Sequence, residues 1–287
     1  MKANKIIVVI LLCSVSVISS AFARQERVPA ARRLQQPVSA DFSMRNLRQI
    51  AHKQRAQTLY DGQGTSRFRR LPSPEKKPKL PASVVADIRL DANYILSAQH
   101  LDPGQPGHGA INNINFHGDP NGRPDWIVPR ENALAILGLL QAYEITRDPA
   151  YKQRAQLAAD YLLRVQDSDG GWYDQYSFDD PSTESKSPTQ TAEVMMALDK
   201  LSYSPQRYEA MKRGAQFLIS LQNVDNKGGL DDGLISGGKI DDDTFHTWRW
   251  ASDNSFAYLA LKDAQKWARK AGDRAFQRQA GRSAKRI

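Results

Sequence analysis

The amino-acid sequence predicts an all-α domain built from repeated helical hairpins, and three observations lead to this prediction. From Ala82 onward, apolar residues recur at intervals of three and four, as on the buried face of a helix. Three of these helices end in similar six-residue segments, and a glycine-rich turn follows each segment. A second helix, also alike in the three copies, follows each turn. Repetition at this scale indicates helical pairs that stack side by side.

Residues 1–23 have the features of a secretory signal peptide. Two lysines precede an apolar run over residues 6–18, and residues 21–23 read Ala-Phe-Ala, a small-residue cleavage signal. The run is shorter than the roughly 20 residues that span a bilayer, so cleavage after Ala23 is predicted and no stable transmembrane segment remains. Its single cysteine, Cys13, lies in the signal, so no disulfide is expected. We expect a periplasmic or secreted protein.

The net charge of +9 is unevenly distributed along the chain. Residues 24–80 hold 14 basic and 4 acidic residues, residues 81–265 hold 16 and 26, and residues 266–287 hold 8 and 1. The basic ends could contact an anionic membrane or polymer, but solvated tails are the favoured interpretation. No zinc-finger spacing, aromatic RNA-binding run or P-loop accompanies this charge, so nucleic-acid binding is not predicted.

The composition divides the mature chain in two. Residues 24–81 form a basic linker rich in arginine and proline, in which residues 71–81 are predicted to be stiff and charged and residues 44–59 could form one helix. Residues 82–287 carry the helical repeat.

Each predicted hairpin has the same order of elements. The first helices end in residues 94–99, 161–166 and 217–222, each an aromatic, two aliphatics, a polar or small residue, an apolar residue and glutamine. The turns that follow are aligned as residues 102–111, 167–172 and 225–230, where glycine ends the helix and the next apolar residue returns to the core.

The second helices also align, over residues 131–140, 190–198 and 253–261. Asp148-Pro149 and Ser204-Pro205 then place a capping side chain before a proline at the first position of the next helix. A weaker copy of this return begins at Gly272-Asp273. Short returns on one side and long loops on the other are therefore predicted.

This repeat resembles the α/α-toroid proteins, which include six-hairpin glycosidases, α/α-barrel polysaccharide lyases such as the three-hairpin pectate lyases, and terpene cyclases. The resemblance covers about residues 82–276 and is most characteristic at residues 162–172 and 250–261. Because only three or four hairpins fit, it implies a small or incomplete α/α toroid, an open arc, or self-association that completes the ring.

If the long loops share one end with the starts of the second helices, that end gathers carboxylates and aromatic rings. Such a set suits a polysaccharide or oligosaccharide, since rings stack on sugars and carboxylates act as acid, base or nucleophile. The candidate catalytic residues are Glu131, Asp174, Asp231 and Asp253. The candidate substrate-binding residues are Trp126, Trp172, Tyr173, Tyr176, His246, Trp248, Arg249, Trp250 and Asn254.

Each of these residues also has a structural interpretation. Glu131 and Asp253 occupy equivalent repeat positions and could complement the dipole of their own helices. Asp174 and Asp231 could be turn residues, and Trp172 could close its turn onto the core. Trp248 and Trp250, two apart before a helix, are the better candidates for an exposed surface.

No cofactor is predicted from the histidines, because His108, His117 and His246 lack the spacing of zinc ligands. Calcium could be bound by acidic side chains in the last long loop, but their spacing fits no EF-hand and a solvated loop is favoured. These side chains are Asp231, Asp232, Asp241 and Asp243.

The leading functional hypothesis is an exported glycan-processing protein, either a glycoside hydrolase or a polysaccharide lyase. A lyase would need a base and a cation for the substrate carboxylate, which makes Arg130, Arg249 and Tyr173 relevant. The alternative is a non-catalytic glycan- or protein-binding repeat module. A terpene-cyclase-like enzyme is disfavoured, because the acidic run at residues 241–243 lacks a partner motif and export separates the protein from cytoplasmic isoprenoids.

Overall fold

The structure is a computed structural model that describes residues 80–112, 125–224, 232–241 and 244–287. All of them lie in the compact unit Lys76–Ile287. The predicted signal peptide, the predicted linker up to residue 79 and the helix considered at residues 44–59 lie outside the described residues. No helix in these ranges is long and apolar enough to cross a membrane.

The described residues are mainly helical, with three short strands in the long loops. The helices are α1 (Ala82–Ser97), α2 (Pro129–Thr146), α3 (Pro149–Arg164), α4 (Pro188–Asp199), α5 (Pro205–Ser220), α6 (Ala251–Ala271) and α7 (Arg274–Arg286). The strands are β1 (Trp126–Ile127), β2 (Tyr176–Ser177) and β3 (Asp180–Pro181).

The helices form two layers. The second helices of the hairpins make an inner row, in which α2 packs on α4 and α4 packs on α6. The first helices α1, α3 and α5, followed by α7, make the outer row. The all-α prediction of repeated hairpins in an α/α toroid is confirmed, with three hairpins and one further outer helix among the described residues.

The short returns begin the outer helices as the sequence predicts. Asp148 and Ser204 accept hydrogen bonds from the backbone N–H groups of Ala150 and Arg207, and a proline follows each cap. In the weaker copy, Gly272 takes a left-handed conformation with φ of 74° and Asp273 caps α7. These contacts satisfy N–H groups that a helix start leaves without partners.

A glutamine two residues after each of the helices α1, α3 and α5 links its hairpin to the next outer helix. The Nε2 group of Gln166 donates to the carbonyl oxygens of Gly170 at 2.8 Å and Ala210 at 3.0 Å, and its Oε1 accepts from Arg213. Gln99 and Gln222 make the equivalent pairs of bonds. One amide therefore closes its own turn and links two hairpins, which explains why this residue type recurs.

A left-handed glycine lies in each of these turns. Gly109, Gly170 and Gly233 have φ values of 91°, 93° and 91°, and each lies against a backbone carbonyl of the next outer helix. The alignment of the third turn at Gly228 and Gly229 was wrong, because the equivalent glycine is Gly233, 11 residues after Gln222. The third turn has more residues between its glutamine and its left-handed glycine than the second turn has, so the two turns do not align residue by residue.

Two carboxylates, one on α6 and one at the end of α4, lie close together. Asp263 is mostly buried beside Asp199, and Lys266 lies between the two carboxylates. Burial, followed by the negative charge of Asp199, raises the pKa of Asp263 to about 6. The folded state therefore holds a proton there that the unfolded chain has released, which favours folding increasingly as the pH falls from above 6 towards 4.

Replacing Asp263 with asparagine is expected to stabilise the protein at pH 7 by on the order of 1 to 2 kcal/mol, because the neutral amide avoids this buried charge. The gain should vanish below pH 4, where the wild-type carboxyl is protonated in both states. Denaturant unfolding at pH 7 and pH 4 measures this, with Asp91→Asn on the exposed face of α1 as control. A gain of the same size at both pH values would contradict it.

Candidate functional site

The long loops of all three hairpins meet at one end of the domain, as predicted. Strand β1 of the first loop pairs antiparallel with β2 of the second, and β2 pairs with β3. The second loop reaches the third through a bridge between Lys186 and Lys239, and Lys239 pairs in turn with Phe245. Because the inner helices follow these loops, their N-termini lie at this end.

Hydrogen bonds join the starts of the inner helices. The hydroxyl of Thr189 on α4 donates to Oδ1 of Asp253 on α6 at 2.5 Å. The backbone N–H of Arg130 on α2 donates to Oε1 of Gln190 on α4. Glu131, Gln190 and Asp253 are each the third residue of their helix, so the predicted repeat equivalence of Glu131 and Asp253 is confirmed.

Glu131 is partly buried at the start of α2. Burial raises the pKa of its carboxyl above the ordinary value, and the neighbouring charge of Arg130 opposes this without cancelling it. The N-terminal end of a helix favours a negative charge, so burial is the stronger influence here. A carboxyl that keeps its proton more readily than usual is suited to act as an acid.

A second carboxyl at this end belongs to Glu193, which lies one turn after Gln190 on α4. Its side chain is only 8% exposed, and Oε2 lies 2.7 Å from Nε of Arg130. Burial raises its pKa, against the opposing effect of Arg130. We did not predict Glu193 from the sequence, although a lone charge in the apolar run of residues 192–198 was a usable signal. Arg130 thus connects the acidic side chains of α2 and α4.

Asp253 and Asp174 are both engaged within the protein. Asp253 is buried, and its bond to Thr189 holds α6 against α4. Asp174 accepts from the N–H of Ser187 at 3.1 Å and from the hydroxyl of Ser185 at 2.6 Å, which fixes the second loop on the start of α4. Their catalytic roles remain predictions.

Three of the proposed sugar-binding side chains are buried. Trp172 is 0% exposed and its indole N–H donates to the carbonyl of Leu162, while the hydroxyl of Tyr176 donates to the carbonyl of Val165. The side-chain amide of Asn254 accepts a hydrogen bond from the backbone N–H of Ile235 and donates one to its carbonyl oxygen. Asn132 makes the same two bonds with Ile111. For Trp172, Tyr176 and Asn254 the expectation of an open binding face was wrong, because these side chains close their turns.

An aromatic stack occupies the third loop just before α6. The His246 and Trp248 rings are 3.7 Å apart between centroids, and the Trp248 and Trp250 rings are 5.6 Å apart, both pairs stacked. Trp248 is 41% exposed and Trp250 is 59% exposed. Trp248 also packs on Gly237, where a Cβ atom would collide with the indole. The predicted exposure of Trp248 and Trp250 is confirmed, and their role in binding remains a prediction.

A buried lysine supports the second loop beneath this end. The fully buried Lys186 forms ion pairs with Asp167 and Asp169, and its Nζ lies 4.2 Å from the centroid of the Tyr173 ring. Burial alone would raise the pKa of Asp169, but the N–H of Gly171 and the bonds from Lys239 and Lys186 outweigh it and lower the pKa. The cluster holds Tyr173 in a fixed, partly exposed position.

The remaining predicted residues are placed as follows. Trp126 is partly buried on β1, and Arg249 is partly buried and donates to the carbonyl of Thr247. Asp231 and Asp243 lie outside the described residues, as does His117. Oδ1 of Asp241 accepts from the N–H of Thr244. In the described ranges no group of three or more histidine, cysteine or acidic residues could hold a metal, and calcium binding remains a prediction.

This arrangement combines three chemical resources at one end of the inner row. Glu131 supplies a carboxyl with a raised pKa, Arg130 supplies a cation beside it, and the stack of His246, Trp248 and Trp250 supplies flat apolar faces. Acid catalysis on a ligand that presents ring faces is within its reach.

Comparison with known proteins places the chain among helical toroids. The family described as squalene-hopene cyclase C-terminal domain matches residues 132–276, just over half of the chain. No curated protein matches the sequence. Two similar solved structures are the unsaturated glucuronyl hydrolase of Bacillus sp. GL1 and a possible member of glycoside hydrolase family 105 from Salmonella enterica serovar Paratyphi A.

The glucuronyl hydrolase has 18% identity and a TM-score of 0.53, over 72% of this chain and 55% of that one. The Salmonella protein has 14% identity and a TM-score of 0.51, over 85% of this chain and 63% of that one. At these identities the likeness shows the fold, and the chain spans less than two thirds of either protein.

Proposed function

The chain belongs to the squalene-hopene cyclase C-terminal domain family, and from this toroidal fold and its loop-bearing end we propose that it is an exported glycan-processing enzyme, a glycoside hydrolase. The observation that carries the proposal is Glu131, whose raised pKa suits a proton donor and which lies at the end where the aromatic stack is exposed. The names of the two solved structures, a glucuronyl hydrolase and a possible member of glycoside hydrolase family 105, support this class. Export follows from the signal peptide predicted at residues 1–23.

In this mechanism Glu131 protonates the leaving oxygen as the glycosidic bond breaks. On the opposite side of the sugar a second carboxylate activates the water that attacks the anomeric carbon, or attacks that carbon itself to form an intermediate that water then hydrolyses. We assign this second role to Asp253, because it is the third residue of α6 and so has the repeat position that Glu131 has in α2. Asp231 is an alternative candidate for this role, proposed from the sequence alone. Arg130 stabilises the Glu131 carboxylate after proton transfer.

A lyase is distinguished from a hydrolase by its products. We would incubate the mature chain, residues 24–287, with neutral and uronic-acid polysaccharides and follow both new reducing ends and ultraviolet absorbance. Reducing ends without absorbance identify a hydrolase, whereas absorbance from unsaturated products identifies a lyase, with Arg130, Arg249 and Tyr173 as its residues. Binding of a glycan without either product would overturn the enzymatic proposal.

A non-catalytic binding module is the second candidate function. It is favoured by the engagement of Asp174 and Asp253 in bonds that hold loops and helices together. Both carboxylates then serve the fold, and the stack at Trp248 and Trp250 alone would bind the glycan.

Isoprenoid cyclisation is not proposed, despite the name of the family. Ligand pockets for apolar molecules are enclosed and mainly apolar, whereas the starts of the inner helices present Arg130, Glu131 and Thr189. Completion of the ring by a second subunit remains a prediction, to be checked by the mass of the protein in solution.

Replacing Trp248 with alanine is expected to weaken glycan binding by roughly tenfold, because it removes the central ring of the stack and a buried aromatic contact is commonly worth 1 to 2 kcal/mol or more. Isothermal titration with an oligosaccharide measures the change. Tyr94→Ala removes a similarly exposed ring from α1 and should leave affinity unchanged. If the Trp248 variant and the wild type bind the oligosaccharide with equal affinity, the aromatic stack is not part of the glycan-binding site.

A further inference from the structure

The last outer helix, α7, presents a continuous cationic face. Arg274, Arg278 and Arg282 recur every fourth residue and all are exposed, and Lys285 and Arg286 extend the face to the end of the helix. The helix contains no acidic residue. Side chains four apart share one side of a helix and stand about 6 Å apart along it, so the three arginines form a row.

These five charges have no partners within the described part of the chain. The nearby acid Asp273 caps α7 and pairs with Lys212. Like charges four residues apart destabilise a helix by roughly 0.2 to 0.5 kcal/mol per pair, and a cation in the first turn opposes the helix dipole. Cations in the last turn are favourable to the helix dipole, but the repulsion along the row of arginines opposes folding, and an anionic ligand would relieve it.

The opposite face of α7 excludes insertion into lipid as the purpose of this charge. Phe276, Ala280, Ser283 and Ala284 are buried against the rest of the domain. A helix that lies in a membrane surface needs its apolar face free for the acyl chains. No aromatic side chain is exposed on α7 to stack on nucleic-acid bases either. The exposed face of α7 therefore presents a line of positive charges without an apolar or aromatic contact surface.

We propose that this face binds a linear anionic polysaccharide, with carboxylates along the polymer paired to Arg274, Arg278 and Arg282. The choice of a glycan over other polyanions rests on the proposed function, and it adds acidic sugars to the substrate class. The face lies on the outer row of helices, whereas the loop-bearing site lies at the starts of the inner ones. The cationic face of α7 would therefore be a second place of contact with the polymer, separate from the loop-bearing site.

The test compares two doubly substituted forms of the mature chain, residues 24–287. Arg278→Gln with Arg282→Gln removes two charges from the face, and Arg147→Gln with Lys152→Gln removes two exposed charges at the return between α2 and α3. We expect the first to bind polygalacturonate at least tenfold more weakly than wild type at low salt, with a shallower dependence on salt concentration. The second should bind like wild type.

The affinity is measured separately from turnover, so the two proposals fail in different ways. Equal loss in both variants, or in neither, overturns the cationic face even if the enzyme is active. Preferential binding of duplex DNA or of phosphatidylglycerol vesicles at equal charge concentration overturns the choice of polymer. Selective loss of polygalacturonate binding in the first variant supports the face even if no glycan is cleaved.

Discussion

Replacing Gly170 with alanine is expected to destabilise the domain by about 3 to 5 kcal/mol, a large part of the 5 to 15 kcal/mol typical of folded proteins. Gly170 has φ of 93°, and an added Cβ atom would collide with the backbone carbonyl oxygen of Arg213. The backbone strain costs about 1 to 3 kcal/mol, and forced separation of tightly packed groups adds a similar amount. The midpoint and slope of denaturant unfolding measure the loss.

Gly272→Ala provides a matched control for the conformational part of this effect. Gly272 has φ of 74° after α6, but an added Cβ atom would meet nothing within 4 Å. The control should therefore lose only about 1 kcal/mol, the cost of a left-handed alanine. Equal losses in the two variants would show that the contact between Gly170 and α5 is not what limits stability.

The same turn shows how far the sequence could predict the fold. The six-residue helix ends identified Gln99, Gln166 and Gln222 as equivalent, and all three make the same pair of backbone bonds. Helix type and hairpin order followed from periodicity and from caps such as Ser204, because these signals are local. The stacking of hairpins followed from their repetition.

The position of the third turn could not be found in this way. Gly170 follows its glutamine by 4 residues, whereas Gly233 follows Gln222 by 11. A closer glycine pair at residues 228–229 offered a better local match. The useful signal was more distant: Asn132 and Asn254, at equivalent places in the inner helices, each bind the residue two after the turn glycine.

Residue type alone did not separate buried from exposed aromatic rings at the candidate site. Trp172 follows two glycines whose turn directs it into the core, and Trp248 packs one edge on Gly237 while its stack with Trp250 stays exposed. Glu193 could not be found from the equivalent positions at the helix starts, because it lies in the second turn of α4. Its effect depends on Arg130 of another hairpin, a contact that the local sequence does not encode.

Glu131→Gln is expected to lower kcat by 10²- to 10⁴-fold, the usual contribution of a positioned general acid. The amide keeps the size and most hydrogen-bonding capacity of the side chain, so the dissociation constant for an oligosaccharide should change little. Glu144→Gln, an exposed change on the same helix, is the control and should keep full activity. Stopped assays of reducing ends and isothermal titration give the two quantities.

The pH dependence separates an acid from a residue that only positions the substrate. Because burial raises the pKa of Glu131, the wild-type rate should fall as the pH rises through that raised pKa, when the acid loses its proton. The glutamine variant should lack this basic limb in its residual activity, since its amide does not titrate. If the variant keeps the limb together with a reduced rate, another group is the acid and Glu131 acts by holding Arg130 or the substrate in place.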